Sequence, residues 1–114
     1  MKTIWGSAAV LALVSMLPSQ AVFAAEGLDL AKKSGCMACH SIDKKIVGPA
    51  WKDVSIRYAD DDSARTLLID KVKTGGKGSW DDVTGGVPMP PYAPRVADQD
   101  IESLVDFILS LKDQ

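Results

Sequence analysis

The five residues Cys36-Met37-Ala38-Cys39-His40 contain both cysteines and the single histidine of a 114-residue chain. On a helical turn, positions three apart share a face, so both thiols can reach one edge of a flat ligand. The imidazole follows directly and can swing beneath that ligand, where a neutral ring nitrogen binds iron well. C-x-x-C-H is the spacing that attaches a c-type haem, the thiols adding to its two vinyl groups. Other uses of these side chains fit less well. A structural zinc site takes four nitrogen or sulfur ligands, and only three candidates exist. A thioredoxin-like dithiol wants a βαβ setting, and no alternating strand pattern is visible. A disulfide between Cys36 and Cys39 would close a very small loop. One covalent haem c with its iron is therefore the expected cofactor.

A second axial ligand follows by elimination among the four methionines. Met1 and Met16 belong to an expected leader, and Met37 is pinned beside the porphyrin edge. Met89 remains, in Val87-Pro88-Met89-Pro90-Pro91. Proline fixes φ and removes a donor, so the segment is stiff before any ligand binds. A loop or core position is the ordinary fate of methionine. Beside a haem motif, the His/Met pattern makes Met89 the expected partner of His40 on the iron. An iron so closed has no position for substrate, which predicts a carrier of single electrons and no enzyme activity. The alternatives are a peroxidase-like or gas-binding haem protein with an open iron, or a subunit docked permanently in a larger redox complex.

The remaining sequence must position these groups. Lys2 precedes an uncharged stretch from Ile4 to Leu17, and Val22-Phe23-Ala24 offers small residues for signal peptidase. That order predicts a secretory leader over 1–24, cleaved after Ala24. An uncleaved anchor is the alternative, although the apolar run is shorter than the roughly 20 residues that span a bilayer. Loss of Lys2 with the leader leaves 12 basic against 15 acidic side chains, a net charge of −3. Such a balance excludes the footprint of a nucleic-acid binder. The 90 residues from 25 to 114 form one small domain, which needs a staple beyond its own core. Its pattern predicts an all-α fold. A short helix covers 27–35, a loop 41–50, and one or two helical turns Trp51 to Tyr58. Asp60, Asp61, Asp62 and Ser63 offer caps for a helix from Ala64 to Thr74, stopped by Gly75 and Gly76. Residues 76–97 form a long loop with prolines at 88, 90, 91 and 94. Asp98 caps a last helix with Ile101, Leu104, Val105, Ile108 and Leu109 on one face.

Four stretches in this order resemble the bacterial class I cytochromes c of the small c-551/c8 type. They are Lys33 to His40, Ile46 to Val54, Trp80, and Pro88-Met89-Pro90-Pro91. The resemblance covers nearly all of 26–114. It implies four or five helices wrapped round one haem, with His40 and Met89 as axial ligands. It further implies that the Pro49 carbonyl accepts a hydrogen bond from the His40 ring, that Trp80 reaches a haem propionate, and that Lys71 lies near the propionates. An ordinary core aromatic and a solvated surface cation are the alternatives at Trp80 and Lys71. Two departures stand out. Trp80 and Met89 are joined by a longer link than the subtype carries, and Tyr92 stands where the family often has asparagine. The implied role is a diffusible periplasmic monomer without a stable membrane anchor. It would meet redox protein partners, a quinol-oxidising complex as donor and a terminal reductase or oxidase as acceptor. Met37, Ala38, Val47 and Pro90 would rim the contact.

Overall fold

The C-terminal helix is the element on which the three longer helices before it pack. A computed structural model describes residues 6, 11–15 and 19–114. In it α5 spans Asp98–Ser110 and touches α1 (Gln20–Lys33), α2 (Trp51–Arg57) and α3 (Ala64–Thr74). The stripe on α5 explains this. Ile101, Leu104, Val105 and Ile108 are buried, and Phe107 joins them at 1 % exposure while Leu109 is only half-buried. A short helix α4 (Asp81–Thr84) and two 3-10 turns, Cys36–Ala38 and Leu111–Asp113, complete the elements. Among the described residues there is no strand, only two isolated bridges, His40 with Lys45 and Gly76 with Met89. The fold is all-α.

Two apolar clusters flank α5. One joins Ala31, Trp51, Val54, Leu104, Phe107 and Leu111; the other joins Tyr92, Val96 and Ile101, with Ile69, Val72 and Met89 packed against it. Trp51 and Phe107 meet edge to face, 6.2 Å between ring centroids. Arg65 ties α3 to α5 from outside, its guanidinium donating to the two Asp106 oxygens at 2.7 and 3.2 Å.

Several expected boundaries shift. Helix α1 begins at Gln20 rather than Gly27, and Phe23 packs edge-on against Phe107. The alanine-rich stretch before Gly27 continues the helix because Phe107 offers it a surface. Asp98 does not cap α5. Ala97 holds the N-cap position with extended backbone, and Asp98 is the first helical residue, paired with Lys73 at 3.1 Å. At α3 the cap residue Ser63 makes no capping bond; its amide and hydroxyl donate back to Asp61 at 2.9 and 2.6 Å. The long 76–97 connection is not all loop, because α4 lies within it. Half of the expected leader, residues 1–5, 7–10 and 16–18, lies outside the described residues. Of its apolar run, Leu11, Leu13 and Val14 are described and are 79 to 95 % exposed.

Candidate functional site

The chain leaves α1 through Ser34 and Gly35 and tightens at once into the Cys36–Ala38 turn. Both the Cys39 and His40 amides donate to the Cys36 carbonyl, at 3.2 and 3.1 Å. Cys36 opens this turn and Cys39, three residues on, is its C-cap. Both are free thiols, Cys36 buried and Cys39 half-buried. Burial pushes the Cys36 thiol above its ordinary pKa, with a backbone hydrogen bond and the charge of Arg95 opposing it. It is therefore a neutral thiol at pH 7.

His40 is fixed on three sides. Its Nδ1 lies 2.9 Å from the Pro49 carbonyl oxygen. A carbonyl only accepts, so Nδ1 carries the proton and the neutral ring keeps its lone pair on Nε2. The ring stacks on Trp51, 5.5 Å between centroids at 24°. Burial pushes the imidazole below its ordinary pKa, while the bond to Pro49 pulls the other way. On the third side Gly48 comes so close that a Cβ there would stand 2.5 Å from the ring Cε1. The loop that carries Gly48 and Pro49 is tied down by backbone bonds from Gly48 to Cys39, Trp51 to Ser41 and Lys52 to Ile42, at 2.8, 2.9 and 3.0 Å.

Met89 is fixed from another direction. Its amide donates to Gly76 at 3.1 Å and its carbonyl accepts from Gly76 at 2.8 Å. The amides of Tyr92 and Ala93 then reach the last carbonyls of α3, those of Val72 and Lys73. Thus the proline-rich segment lies against the end of α3. Gly75 permits this. Its φ is +69°, and a Cβ there would stand 2.5 Å from the Met89 oxygen and 2.7 Å from the Pro91 nitrogen. Both are backbone atoms that cannot step aside.

All seven residues singled out from the sequence, Cys36, Cys39, His40, Pro49, Lys71, Trp80 and Met89, line one cavity of 510 Å³. That volume falls in the range of about 300–1,000 Å³ usual for cofactor sites. Trp51, Leu68, Tyr92, Leu104, Val105 and Ile108 give it mainly apolar walls. Two thiols, an imidazole lone pair and a thioether around such a space form a donor set that suits a covalently held haem. Met89 is half-buried and packs on the Tyr92 cluster. Lys71 spends its ammonium on the carbonyls of Gly75 and Lys77, at 3.3 and 3.0 Å, lashing the loop after α3. Trp80 is half-buried and lies beneath the Arg57 guanidinium, 4.1 Å from its ring centroid.

Sequence reasoning gave no role to Gly48, Trp51, Arg57 or Tyr58. Gly48 and Trp51 stand in the block around Pro49, and their nearness to a ring eight and eleven residues earlier in the chain is the signal that a hairpin-like loop between His40 and Lys45 would have supplied.

Residues 24–112 match the family described as Cytochrome c. The chain is 46 % identical over 113 residues to "Cytochrome c-552" of Nitrosomonas europaea, covering 98 % of this chain and 100 % of the relative. It is 40 % identical over 106 residues to "Cytochrome c-551" of Pseudomonas aeruginosa, covering 89 % and 96 %. The crystal structure of wild-type Nitrosomonas europaea cytochrome c552 superposes with a TM-score of 0.66 at 49 % identity, over 75 % of this chain and 99 % of that one.

Proposed function

Since the chain belongs to the cytochrome c family, as a class I monohaem electron carrier with one covalent haem c and its iron, we propose that Cys36 and Cys39 hold that haem and that His40 and Met89 close its iron from both sides. The haem supplies a one-electron couple. The protein's own contribution is to hold four groups still. The Pro49 carbonyl fixes the imidazole tautomer and orientation, leaving Nε2 as the ligand. The paired backbone of Gly76 and Met89 fixes the thioether at the end of α3. A ligand set that does not move between oxidation states keeps the cost of electron transfer low. His/Met ligation in a mainly apolar cavity raises the potential, which suits a carrier on the oxidising side of a respiratory chain.

The single observation that carries this reading is the convergence of all seven residues on one cavity. The chain would be exported, trimmed after Ala24 and released into the periplasm as a monomer. The family match beginning at residue 24 supports the trimming. Among the described residues no helix is long and apolar enough to cross a membrane. Its partners would be redox proteins, a quinol-oxidising complex as donor and a terminal reductase or oxidase as acceptor. Electrons would pass at a small contact beside Val47 and Pro90, both exposed at the cavity mouth.

The oxidised protein is expected to show the weak far-red absorption band of a sulfur–iron bond, and the reduced protein to ignore carbon monoxide. Met89→Ala should lose the band and bind carbon monoxide. A wild-type protein without the band, or one that takes up carbon monoxide rapidly, would return the open-iron reading.

A further inference from the structure

Two glycines end helices in this chain, and they do so differently. Gly85 closes α4 with φ +64° and ψ +22°, the usual left-handed stop, and a Cβ added there would meet open space. Gly75 closes α3. Its amide donates to the Lys71 carbonyl at 2.8 Å, as a helix stop should. Its φ of +69° is joined, however, to a ψ of −154°. Essentially only glycine enters that region of backbone space. A Cβ on Gly75 would stand 2.5 Å from the Met89 oxygen, 2.7 Å from the Pro91 nitrogen and 2.8 Å from the Pro90 carbonyl carbon. Ending a helix requires no such contact. The facing segment is also held in place. Gly76 and Met89 exchange two backbone hydrogen bonds, and the Tyr92 and Ala93 amides donate to the Val72 and Lys73 carbonyls at 3.0 and 3.3 Å. Gly76, Met89 and Pro90 line the cavity, but Gly75 is not among its lining residues. Gly75 thus touches the backbone of the thioether-bearing segment without itself facing the haem site.

We propose that Gly75 is a positioning residue for the Met89 thioether: its missing side chain sets how closely the Met89–Pro91 backbone lies against the end of α3, and through that how firmly the sulfur reaches the iron. The inference rests on Met89 being the second axial ligand. A methyl added at Gly75 can be accommodated only by moving one of two backbones. The end of α3 is held by its own helix bonds. The Met89 segment carries the sulfur, so its displacement strains the sulfur–iron bond. The conflict is relieved when the sulfur lets go. A competing ligand then binds the iron more tightly, because the state it needs is already more populated.

The test is titration of the oxidised, exported holoprotein with imidazole, followed by loss of the far-red band. Gly75→Ala should bind imidazole about five- to hundredfold more tightly than wild type, the range that corresponds to a core methyl without room. Gly85→Ala also places a methyl at positive φ, but in open space, and should bind imidazole as wild type does. Both variants should melt earlier than wild type, since both force a side chain into a conformation that favours glycine; the melt therefore does not decide. If Gly75→Ala yields no holoprotein, Gly75→Ala/Pro90→Gly gives the segment freedom to yield, and the same tightening is expected relative to Pro90→Gly alone. The proposal is overturned if Gly75→Ala binds imidazole with wild-type affinity, if Gly85→Ala tightens as much, or if the double variant matches Pro90→Gly. A wild-type protein that shows the band, beside a Gly75→Ala variant of unchanged imidazole affinity, defeats the role of Gly75 alone. A wild-type protein without the band defeats the ligand assignment itself.

Discussion

His40 occupies a slot with almost no slack. Trp51 faces the ring on one side, Pro49 takes its Nδ1 proton, and Gly48 leaves no room for a methyl. Replacing Gly48 by alanine would put a Cβ 2.5 Å from Cε1 and 3.0 Å from Nε2. Something must shift, and the ring cannot shift without stretching its bond to Pro49. Overpacking of this kind costs about 1–3 kcal/mol. Gly48→Ala is therefore expected to lower the denaturant midpoint of the holoprotein and to broaden or move the far-red band. An unchanged band and midpoint would show that the slot is looser than its geometry. The contrast between His40 and Gly48 marks what could be read in advance. The thiols and the imidazole are legible because their chemistry is written in five adjacent residues. Gly48 is required by a ring that approaches through space, and no local pattern announces that.

At the scale of elements, α5 is the clearest case of a pattern read correctly, and also of its limit. The stripe Ile101, Leu104, Val105 and Ile108 is buried as its spacing predicts. Phe107 lies off that stripe and is among the most buried side chains, because α5 is covered on two sides, by α1 and α2 as well as by α3. Single-face periodicity cannot foresee a second cover. Phe107→Ala should cost about 3–5 kcal/mol, as for large aromatic truncations in cores. Leu109→Ala, at a half-buried position, should cost clearly less. Urea melts of the two variants check the order; equal losses would mean that the Trp51–Phe107 contact carries little. Helix α4 was illegible for another reason. Four residues are too few to show a period, and its start at Asp81 depends on the Trp80 carbonyl accepting from both Val83 and Thr84. The early start of α1 depends likewise on a partner, Phe107, that lies more than eighty residues away.

For the whole molecule the cavity sets the stability. An unfilled apolar cavity costs about 24 cal/mol per Å³. For 510 Å³ that is on the order of 12 kcal/mol, an upper bound because the mouth admits water. Domains of this kind have only about 5–15 kcal/mol in total. The double variant Cys36→Ala/Cys39→Ala, which has no thiol to anchor a haem, is expected to lose its sharp calorimetric transition and its near-ultraviolet dichroism while keeping some helix. A cooperative melt close to that of the holoprotein would show that helix packing alone sustains the fold. The same view of the whole explains how the eight-residue link between Trp80 and Met89 is tolerated. Gly76 and Met89 are stapled to each other by two backbone hydrogen bonds, so the twelve residues from 77 to 88 form a closed excursion from a fixed base. Lengthening such an excursion costs little, because closure entropy grows only logarithmically with loop length. This stretch is thus a natural site for added sequence: a short graft beside Gly85 or Gly86 would ride outward while the sulfur behind it stays put.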